Sequence, residues 1–369
     1  MRIERIEVVP LEVPLARTFH GSYYSMSVRA TLVTRVYTDD GLIGECYNGD
    51  EVNTQVEIGR IVTDELAPLL VGCDPTMVEA CWEVMLPLTF NILRDRRLVL
   101  MAMAAVDSAL WDLAGKAAGT PLYRLWGGAR AELPIVAIGG YYRQTDSELA
   151  AEVVGYLEMG IGGCKMKVGS LSPQEDARRF RAMRSAAGGS PFVLMADANQ
   201  GYTVDDAVAF ARQVEDQDMR WFEEPVRWMN ADLGMRDVRL KTGAAVAAGQ
   251  SELARADVRR LLQAGAIDVC NFDASWSGGP TEWRRVAGLT AAFGVEMAHH
   301  EEPQLSAHLL GSISHGTYVE VFHPERDPIF WNLIANRPPI AGGTYRIPDG
   351  PGLGLVLNTD FIERYRVDR

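Results

Sequence analysis

The sequence predicts an α/β protein built on a closed barrel of parallel strands. After Leu133, short apolar runs alternate with amphipathic helical segments, a pattern typical of βα units. Seven or eight such units follow one another without interruption, which favours a closed barrel over an open sheet. Polar side chains also end successive apolar runs at intervals of about one βα unit. Together these observations predict one cavity lined by the ends of many strands.

The individual elements follow from hydrophobic periodicity. The barrel segments are expected at residues 134–139, 148–158, 163–168, 173–187, 192–196, 204–213 and 221–222, and then at 246–249, 269–272, 295–298 and 318–321.

The first 60 residues predict strands joined by tight turns, and helical patterns dominate from Glu51 to about Ala118. The stretch Arg17–Ser25 is polar and aromatic without periodicity, so we predict a mobile loop. Such a loop could contribute to substrate specificity, or it could be merely solvated. Residues 342–369 return to strands and Gly-Pro turns, and are expected to pack against the N-terminal part.

Composition restricts the class of protein. The 369 residues are 47% hydrophobic and 23% charged, as expected for a globular protein. No apolar run is expected to span a bilayer, and the N-terminus lacks signal-peptide features, so we predict a cytoplasmic protein. A net charge of −13 argues against nucleic acid or an anionic membrane as a partner. Five cysteines without close pairs predict free thiols.

The polar residues at the predicted strand ends are the main functional signal. They are Lys165, Lys167, Asp197, Asn199, Glu223, Glu224, Gln250, Asp273, His299, His300 and Glu320. In a barrel, the carboxyl ends of all strands face one cavity, where active sites lie. Taken alone, any one of these residues could be structural; Asp197 could cap the helix expected to begin near Thr203.

These residue types suggest carbon-acid chemistry. Asp197, Glu223 and the amide oxygen of Gln250 could hold Mg²⁺, which prefers oxygen ligands and would stabilise an enediolate. Lys165 and Lys167 alternate along one strand, so both project to one face, where mutual repulsion and the cation would lower a lysine pKa. Asp273 could orient a histidine of the next strand as a second base or acid.

Several short motifs carry a resemblance to a known family. They are Lys165-Met166-Lys167, Asp197-Ala198-Asn199, Phe222-Glu223-Glu224-Pro225, Asp273 before Gly278-Gly279, and His300 upstream of Ser306-Ala307-His308-Leu309-Leu310. This set resembles the mandelate racemase subgroup of the enolase superfamily, within the mandelate racemase/muconate lactonizing enzyme family. Residues 109–116, 121–122 and 350–354 are similar to that family's cap and closing segments, so the resemblance covers nearly the whole chain.

The resemblance implies a modified (β/α)7β TIM barrel at residues 131–324. An α+β capping domain at residues 1–130, completed by the tail 325–369, would cover it. It also implies a Mg²⁺ cofactor and a homo-oligomer, either a dimer or an octamer.

Residue roles also follow from the resemblance. Lys167 matches the base on one face of the substrate, with Lys165 contacting the substrate carboxylate. His300 with Asp273 matches the dyad on the opposite face, and the spacing to Ser306 favours His300 over His299. Glu320 matches the acidic residue that contacts the substrate carboxylate, and Asn199 matches a residue that lines the substrate. Glu223 matches a metal ligand, and Glu224 lies behind it.

One position departs from the family pattern. The third metal ligand is usually a Glu after a Gly, whereas here Gly249 precedes Gln250. A neutral amide oxygen can still coordinate Mg²⁺, though with less charge and weaker binding. We favour Gln250 as the ligand; Glu252 is the alternative.

The resemblance allows both dehydration of sugar acids and racemisation of α-hydroxy acids. Arg17, His20, Tyr23, Tyr24 and Tyr142 are predicted substrate contacts, and with Tyr141 and Arg143 they suit a polyhydroxylated substrate. We therefore expect dehydration of an aldonate or aldarate to a 2-keto-3-deoxy acid. A racemase, epimerase or lactone cycloisomerase using the same Lys and His is the alternative. A barrel that binds without catalysing is a third class, supported only by Gln250.

Overall fold

The computed structural model describes residues 1–49 and 52–367. Its N-terminal part begins with a three-stranded antiparallel sheet in the order β1-β2-β3. The strands are β1 (Ile3–His20), β2 (Ser25–Thr38) and β3 (Ile43–Asn48). Leu32 and Val33 are consecutive in β2 and both fully buried, so both faces of the middle strand are covered here.

The prediction of a mobile loop at Arg17–Ser25 was wrong. Phe19 pairs with Met26 and His20 with Ser25, so the β1–β2 hairpin continues and only residues 21–24 form its turn. Local periodicity is weak here because the pairing register shifts between Pro14 and Phe19, which interrupts the regular alternation of the strand.

The hairpin tip is also tied to the barrel. The Ser22 hydroxyl donates to the Val168 carbonyl at 2.7 Å, and the Tyr142 amide donates to the His20 carbonyl at 2.9 Å. These long-range hydrogen bonds satisfy backbone groups at both chain segments, so the tip forms part of the rim of the barrel mouth.

Helices complete the N-terminal part. They are α1 (Gln55–Arg60), a π-helical segment (Ile61–Leu66), α2 (Ala67–Leu70), α3 (Val78–Met85), a 3₁₀ segment (Leu86–Phe90), α4 (Arg96–Ala117) and α5 (Leu122–Leu125).

The long helix α4 is the core helix of this part. It packs so closely on β3 that a Cβ atom on Gly44 would lie 2.1 Å from the Ala109 carbonyl oxygen. Among the described residues it is the one helix long and apolar enough to span a membrane, contrary to the expectation that no segment would be, but 83% of that window is buried in the protein. Its apolar surface is therefore explained by internal packing.

Two aspartates of α4 join the cap to the rest of the chain. Asp107 accepts from the Thr281 amide and hydroxyl, both at 2.8 Å. Asp112 accepts from the amides of Glu45 at 2.8 Å and Leu353 at 2.7 Å. Both carboxylates are buried and hydrogen-bonded, which identifies them as structural groups.

Eight parallel strands and seven intervening helices form the barrel, as predicted. The strands are β4 (Glu132–Gly139), β5 (Gly163–Lys167), β6 (Val193–Asp197), β7 (Met219–Glu223), β8 (Val246–Ala248), β9 (Val269–Cys270), β10 (Glu296–Met297) and β11 (Val319–Phe322). The helices are α6 (Asp146–Glu158), α7 (Pro173–Ala187), α8 (Val204–Gln213), α9 (Ala231–Thr242), α10 (Arg255–Ala264), α11 (Pro280–Phe293) and α12 (Pro303–Gly311), with short 3₁₀ segments at Glu215–Gln217 and Trp228–Asn230.

The strand order is β10-β9-β8-β7-β6-β5-β4-β11, and the circle closes between β10 and the segment entering β11. Met297 forms a parallel bridge with Gly316, and the Thr317 amide donates to the Met297 carbonyl at 2.9 Å. The barrel interior is filled by a buried layer of side chains from six strands or their ends: Val136, Met195, Trp221, Ala247, Val269 and Ala298.

The start of α8 decides between the two interpretations of Asp197. The Thr203 hydroxyl caps this helix by accepting from the Asp206 amide at 3.2 Å. Asp197 is not the N-cap, and it lies at the end of β6. Helix capping therefore does not explain the Asp197 carboxylate.

The tail contacts both halves of the chain. It contains α13 (Pro328–Leu333), β12 (Ile340–Ala341), β13 (Thr344–Arg346) and α14 (Thr359–Tyr365). Strand β13 pairs antiparallel with barrel strand β4, while the Leu122 amide of the cap donates to the Gly352 carbonyl at 2.9 Å.

Candidate active site

Three neighbouring strands place one half of the site, which we call the lysine side: Lys165, Lys167, Asp197 and Glu223. In the strand register Lys167 lies opposite Asp197, and Asp197 lies opposite Glu223. Neighbouring strands are about 4.8 Å apart, and paired residues point to the same face. The two carboxylates therefore lie side by side at the end of the barrel.

Ion pairs connect these residues. Lys167 Nζ lies 2.6 Å from Asp197 Oδ2, and Lys165 Nζ lies 2.6 Å from both Glu223 Oε1 and Glu320 Oε1. All five side chains are almost completely buried. Buried charges are tolerated only when they are paired, and here each ammonium faces at least one carboxylate.

Without a cation, the two lysine pKa values shift upward, and the lowering expected beside a bound cation stays a prediction. Burial disfavours the ammonium of Lys167, but the adjoining Asp197 carboxylate outweighs it and raises the Lys167 pKa well above its usual value. Glu223 and Glu320 likewise raise the pKa of Lys165 above its usual value, although burial acts in the opposite direction. The expected lowering rested on repulsion between the lysines and on a bound cation, whereas each lysine here faces a carboxylate.

The Glu223 carboxyl has two carboxylate neighbours and one ammonium neighbour. Burial and the neighbouring Asp197 and Glu320 carboxylates raise its pKa to about 8, although Lys165 acts in the opposite direction. The indole N–H of Trp221, two residues earlier on the same strand face, donates to Glu223 Oε2 at 3.1 Å.

Gln250 follows the next strand, β8, and lines the same cavity as Lys167 and Asn199. Its Nε2 donates to Glu224 Oε2 at 3.2 Å, and its Oε1 accepts from Asn271 Nδ2 at 3.3 Å. A flipped amide would place oxygen against the Glu224 carboxylate and nitrogen against the Asn271 donor, so both contacts would become repulsive. Asn271, which the sequence analysis missed, therefore sets the direction of this oxygen.

Glu252, the alternative ligand, does not line the cavity that contains Gln250. Burial and the nearby carboxylates of Glu224 and Asp257 raise its pKa to about 8.

The residues present fit a hard divalent cation. Asp197, Glu223 and Gln250 offer two carboxylates and one amide oxygen, the donor type that Mg²⁺ prefers. Within the described ranges, the buried Asn199 Oδ1 at the same cavity has no hydrogen-bond partner. No three His, Cys, Asp or Glu side chains of the described part converge on one point. A three-oxygen set at this position therefore depends on the Gln250 amide.

Across the barrel mouth lies the histidine side, which we define as Asp273, Trp276, His300 and Glu301. His300 Nδ1 is 2.9 Å from Asp273 Oδ2, and Asp273 Oδ1 accepts from the Ser275 amide at 2.7 Å. Burial, together with the charges of Lys165 and Lys167, holds the His300 pKa well below its usual value. Burial raises the pKa of Asp273 well above the usual value of an aspartate.

The choice between the two adjacent histidines agrees with their positions. His300 lines the cavity, whereas the His299 side chain is fully buried in the barrel wall. His299 Nε2 accepts from the Ala274 amide at 3.0 Å, and its Nδ1 is 2.8 Å from the His300 carbonyl oxygen. Both ring nitrogens of His299 are thus used by the backbone.

Trp276 and Glu301 were missed by the sequence analysis. The Trp276 ring lies 4.8 Å from the His300 ring, and Glu301 Oε1 lies 3.2 Å from His300 Nε2. Glu301 could have been suspected from its position directly after His300. Trp276 carried no signal, because nothing in the local pattern indicates the direction of a loop side chain.

The lysine and histidine sides enclose a cavity of about 200 Å³. It is lined by Tyr24, Met26, Val52, Lys167, Asn199, Gln250, Trp276, His300, Glu301 and Arg326. Asn199 Oδ1 and Trp276 Nε1 have no hydrogen-bond partner within the described residues. A small ligand in this cavity would meet the Lys167 amine and the His300 imidazole, beside these two unpaired buried polar atoms.

The predicted substrate contacts divide into two groups. Tyr24 and Asn199 line the cavity, and the Tyr24 ring centre lies 5.9 Å from Lys167 Nζ. His20, Tyr23 and Tyr142 instead surround a separate depression at the hairpin tip.

The predictions for Arg17 and Tyr142 conflict most clearly with the structure. Arg17 lines another cavity of about 270 Å³ and lies 3.4 Å from Glu325, because strand alternation places it on the same face as Phe19. The Tyr142 hydroxyl donates to the buried Asp176 carboxylate at 3.1 Å, which occupies its polar group.

Backbone strain concentrates at the barrel mouth. Of the eight non-glycine residues with positive φ in the described part, six follow the carboxyl ends of barrel strands: Arg143, Asn199, Gln200, Glu224, Glu301 and Glu302. Left-handed backbone at non-glycine residues is costly and is typical of functional sites, where it aims particular side chains.

Comparison with known proteins agrees with this geometry. Residues 5–127 match the N-terminal domain of the mandelate racemase / muconate lactonizing enzyme family, and residues 148–361 match the enolase C-terminal domain-like family. The chain is 31% identical over 366 residues to the 3,6-anhydro-α-L-galactonate cycloisomerase of Streptomyces coelicolor, covering 99% of each chain. It is 29% identical to the arabinonate dehydratase of Saccharolobus solfataricus, covering 91% of this chain and 90% of that one.

A solved structure is also similar. The mandelate racemase/muconate lactonizing enzyme of a marine actinobacterium, in complex with magnesium, is 51% identical with a TM-score of 0.94, over 100% of this chain and 99% of that one. The chain therefore belongs to the mandelate racemase/muconate lactonizing enzyme family of the enolase superfamily, and its fold is that family's capped (β/α)7β barrel.

Proposed function

We propose that this protein is a magnesium-dependent acid-sugar dehydratase, which converts an aldonate or aldarate to a 2-keto-3-deoxy acid. One observation carries the proposal: Lys167 and His300 lie on opposite walls of one small polar cavity, beside two side-by-side carboxylates. Two proton carriers on opposite faces of a bound acid are what removal of an α-proton and loss of a β-hydroxyl require. The dehydratase relative supports the same reaction class.

The first step belongs to the lysine side. Lys167 would take the proton from the α-carbon in its neutral form, which would become accessible when the Asp197 carboxylate holds Mg²⁺ instead of the ammonium. The electrons of the broken C–H bond would pass into the substrate carboxylate to form an enediolate. Lys165, held between Glu223 and Glu320, would contribute positive charge near that carboxylate. Asp197, Glu223 and Gln250 are the residues proposed to hold Mg²⁺, which would supply further positive charge for the enediolate.

The second step belongs to the histidine side. As the enediolate collapses, the bond between the β-carbon and its hydroxyl oxygen would break, and His300 would give that oxygen a proton so that it leaves as water. The resulting enol then takes up a proton at C3 and becomes the 2-keto-3-deoxy acid. Asp273 would hold the imidazole through Nδ1 and leave Nε2 directed at the substrate.

The test is a screen of aldonic and aldaric acids with Mg²⁺ for formation of 2-keto acids. At least one such acid should give a 2-keto-3-deoxy product, and Lys167→Ala should not form it. Omitting Mg²⁺ from metal-stripped protein should also stop the reaction. No 2-keto product from any β-hydroxy acid in the screen would contradict the proposal.

A second candidate is a racemase, epimerase or lactone cycloisomerase acting on an α-hydroxy acid. The cycloisomerase relative, similar over 99% of the chain, favours keeping it. In that case the screen should show exchange of the α-proton for deuterium, or conversion of a lactone, without a keto product. A cytoplasmic location and a homo-oligomeric assembly stay predictions from the sequence.

A further inference from the structure

The histidine side contains a carboxylate that the dehydration steps above do not use. Glu301 Oε1 lies 3.2 Å from Nε2 of His300, the nitrogen that faces the cavity, while Nδ1 on the other side of the ring meets Asp273 at 2.9 Å. The imidazole is thus held between two carboxylates. Because Glu301 also lines the cavity, a ligand that reaches His300 Nε2 must meet Glu301 as well.

The position of this carboxylate is built by the backbone and by the cap. Glu301 and Glu302 have φ values of 55° and 52°, which directs two successive non-glycine residues through a left-handed turn. Behind Glu301, the buried guanidinium of Arg29 lies 3.6 Å from Glu301 Oε2. Arg29 is itself fixed by Glu302 at 3.3 Å and Asp327 at 3.2 Å.

The two contacts of the His300 ring, Nδ1 with Asp273 and Nε2 with Glu301, restrict the positions of the protons. Two close contacts between three such groups need a proton in each, since facing lone pairs would repel. Glu301 lies beside a guanidinium that cannot lose its charge, which favours the carboxylate form of Glu301. The proton of the second contact therefore belongs on His300 Nε2, directed into the cavity.

We infer that Glu301 is a catalytic residue for departure of the β-hydroxyl. Its carboxylate keeps the donor proton on His300 Nε2, and it accepts a hydrogen bond from the substrate hydroxyl whose oxygen receives that proton. Glu301 thereby selects acids that carry a hydroxyl on the β-carbon and favours elimination over return of the α-proton. This inference rests on the proposed dehydration.

Bond changes in this step balance without any further reactant. The hydrogen of the leaving hydroxyl stays on its oxygen and points at Glu301. The Nε2 proton of His300 adds to a lone pair of the same oxygen while the C–O bond breaks, and water leaves. The proton shared in the Asp273 contact is then held on Nδ1, so the ring is left as neutral imidazole. His300 regains a proton from solvent before the next turnover.

The experiment compares two rates in ²H₂O for wild type and Glu301→Ala: formation of 2-keto acid, and exchange of the α-proton catalysed by Lys167. We expect Glu301→Ala to lower the elimination rate by about 100-fold, in the range of a general-acid contribution, and the exchange rate by less than about fivefold. Equal losses in both rates would indicate only a structural role and would overturn the inference, as would unchanged elimination.

Glu302→Ala is the matched control. It removes the same charge beside Arg29 at a residue with the same backbone conformation, but Glu302 does not line the cavity. Its ratio of elimination to exchange should equal that of wild type. A shift of this ratio as large as that of Glu301→Ala would overturn the inference, because loss of charge at Arg29 would then explain both.

A measurement without turnover separates this inference from the proposed function. In ¹⁵N-histidine-labelled protein, with His300 assigned from the spectrum of His300→Asn, Nε2 should carry its proton in wild type and lose it in part in Glu301→Ala. An unprotonated Nε2 in wild type would overturn the role of Glu301 even if dehydration is observed. If wild type forms no 2-keto acid, the proposed function fails, and the elimination role of Glu301 fails with it whatever the spectrum shows.

Discussion

The two sides of the cavity are built in different ways. On the lysine side, Lys167, Asp197 and Glu223 come from three adjacent strands and lie opposite one another in the strand register. On the histidine side, Asp273, Trp276 and Glu301 come from loops, and Arg29 of the cap lies behind them. The lysine side is therefore set by strand alternation, whereas the histidine side depends on where loops and the cap meet.

This difference has a chemical counterpart. Lys165 pairs with Glu223 and Lys167 with Asp197, and both carboxylates are proposed metal ligands. The lysine side therefore brings positive and negative charges together at the proposed metal site. The imidazole of His300 is instead held through hydrogen-bond positions on its two nitrogens, so the histidine side controls the location of protons. Substitutions on the two sides should consequently affect different steps of one reaction.

The largest expected effect separates these steps. Lys167→Ala should lower both α-proton exchange and 2-keto acid formation by about 10³-fold or more, because the base for the first step is lost. His300→Asn should lower 2-keto acid formation by a similar factor but leave exchange measurable. Both variants are expected to fold, which circular dichroism would check.

A surface lysine provides the control for these variants. Lys241 is exposed and lies 3.8 Å from Asp237, so Lys241→Ala should leave both rates within about twofold. Near wild-type turnover by either Lys167→Ala or His300→Asn would contradict our assignment of the two proton carriers.

A buried histidine away from the cavity should contribute to the acid sensitivity of the fold. The His308 imidazole accepts from the Tyr123 amide at 3.2 Å and lies 3.1 Å from the Leu353 carbonyl, and burial lowers its pKa to about 4. Since the unfolded chain takes up the proton near pH 6.5 and the folded chain does not, stability is lost as pH falls from about 6.5 towards 4.

His308→Gln should remove this loss, which amounts to about 2 to 3 kcal/mol for one such group. Urea unfolding at pH 7 and pH 4.5 measures it as a smaller difference between the two pH values in the variant. Its rates at pH 7 should stay near those of wild type, which would distinguish His308 from His300. An unchanged pH dependence of unfolding would show that His308 is not buried as a neutral ring.

The third ligand tests the composition of the lysine side. Gln250→Glu should tighten Mg²⁺ binding by about tenfold, equivalent to about 1.4 kcal/mol, because a carboxylate replaces a neutral amide. Without metal the same variant should melt at a lower temperature, since the new carboxylate would face Glu224. Titration calorimetry and melting curves with and without Mg²⁺ measure both effects.

Glu252→Gln is the control for this test and should leave Mg²⁺ affinity unchanged. A large loss of affinity in Glu252→Gln, with none in Gln250→Asn, would instead identify Glu252 as the ligand and require a local shift of the chain after Gly249.

The smallest expected effect concerns substrate contacts at the hairpin. Tyr24→Ala should raise KM by about tenfold, because Tyr24 covers the cavity near Lys167. Arg17→Ala should change KM by less than twofold, since Arg17 lines another cavity beside Glu325. Steady-state kinetics with the substrate from the screen would measure both. A larger effect of Arg17→Ala than of Tyr24→Ala would place the substrate in the cavity beside Glu325 and contradict our assignment.

The sequence alone determined the strand ends and the residue types they carry. Lys165, Lys167, Asp197 and Glu223 could be predicted as one group because alternation along a strand and repetition of βα units are local patterns that recur at a known period. Motif spacing also distinguished His300 from His299. Each of these inferences needed only neighbours in the chain or the repeat length of the fold.

Only the tertiary structure decided which groups face one another. Arg29 meets Glu301 across 272 positions of sequence, Asn271 orients Gln250, and the hairpin register moves Arg17 out of the site while leaving Tyr24 in it. It also placed a carboxylate beside each lysine, which without a cation raises the lysine pKa, since that shift depends on the charge a few ångströms away. Charges, loop directions and register depend on contacts between distant segments, and no local period in the chain encodes them.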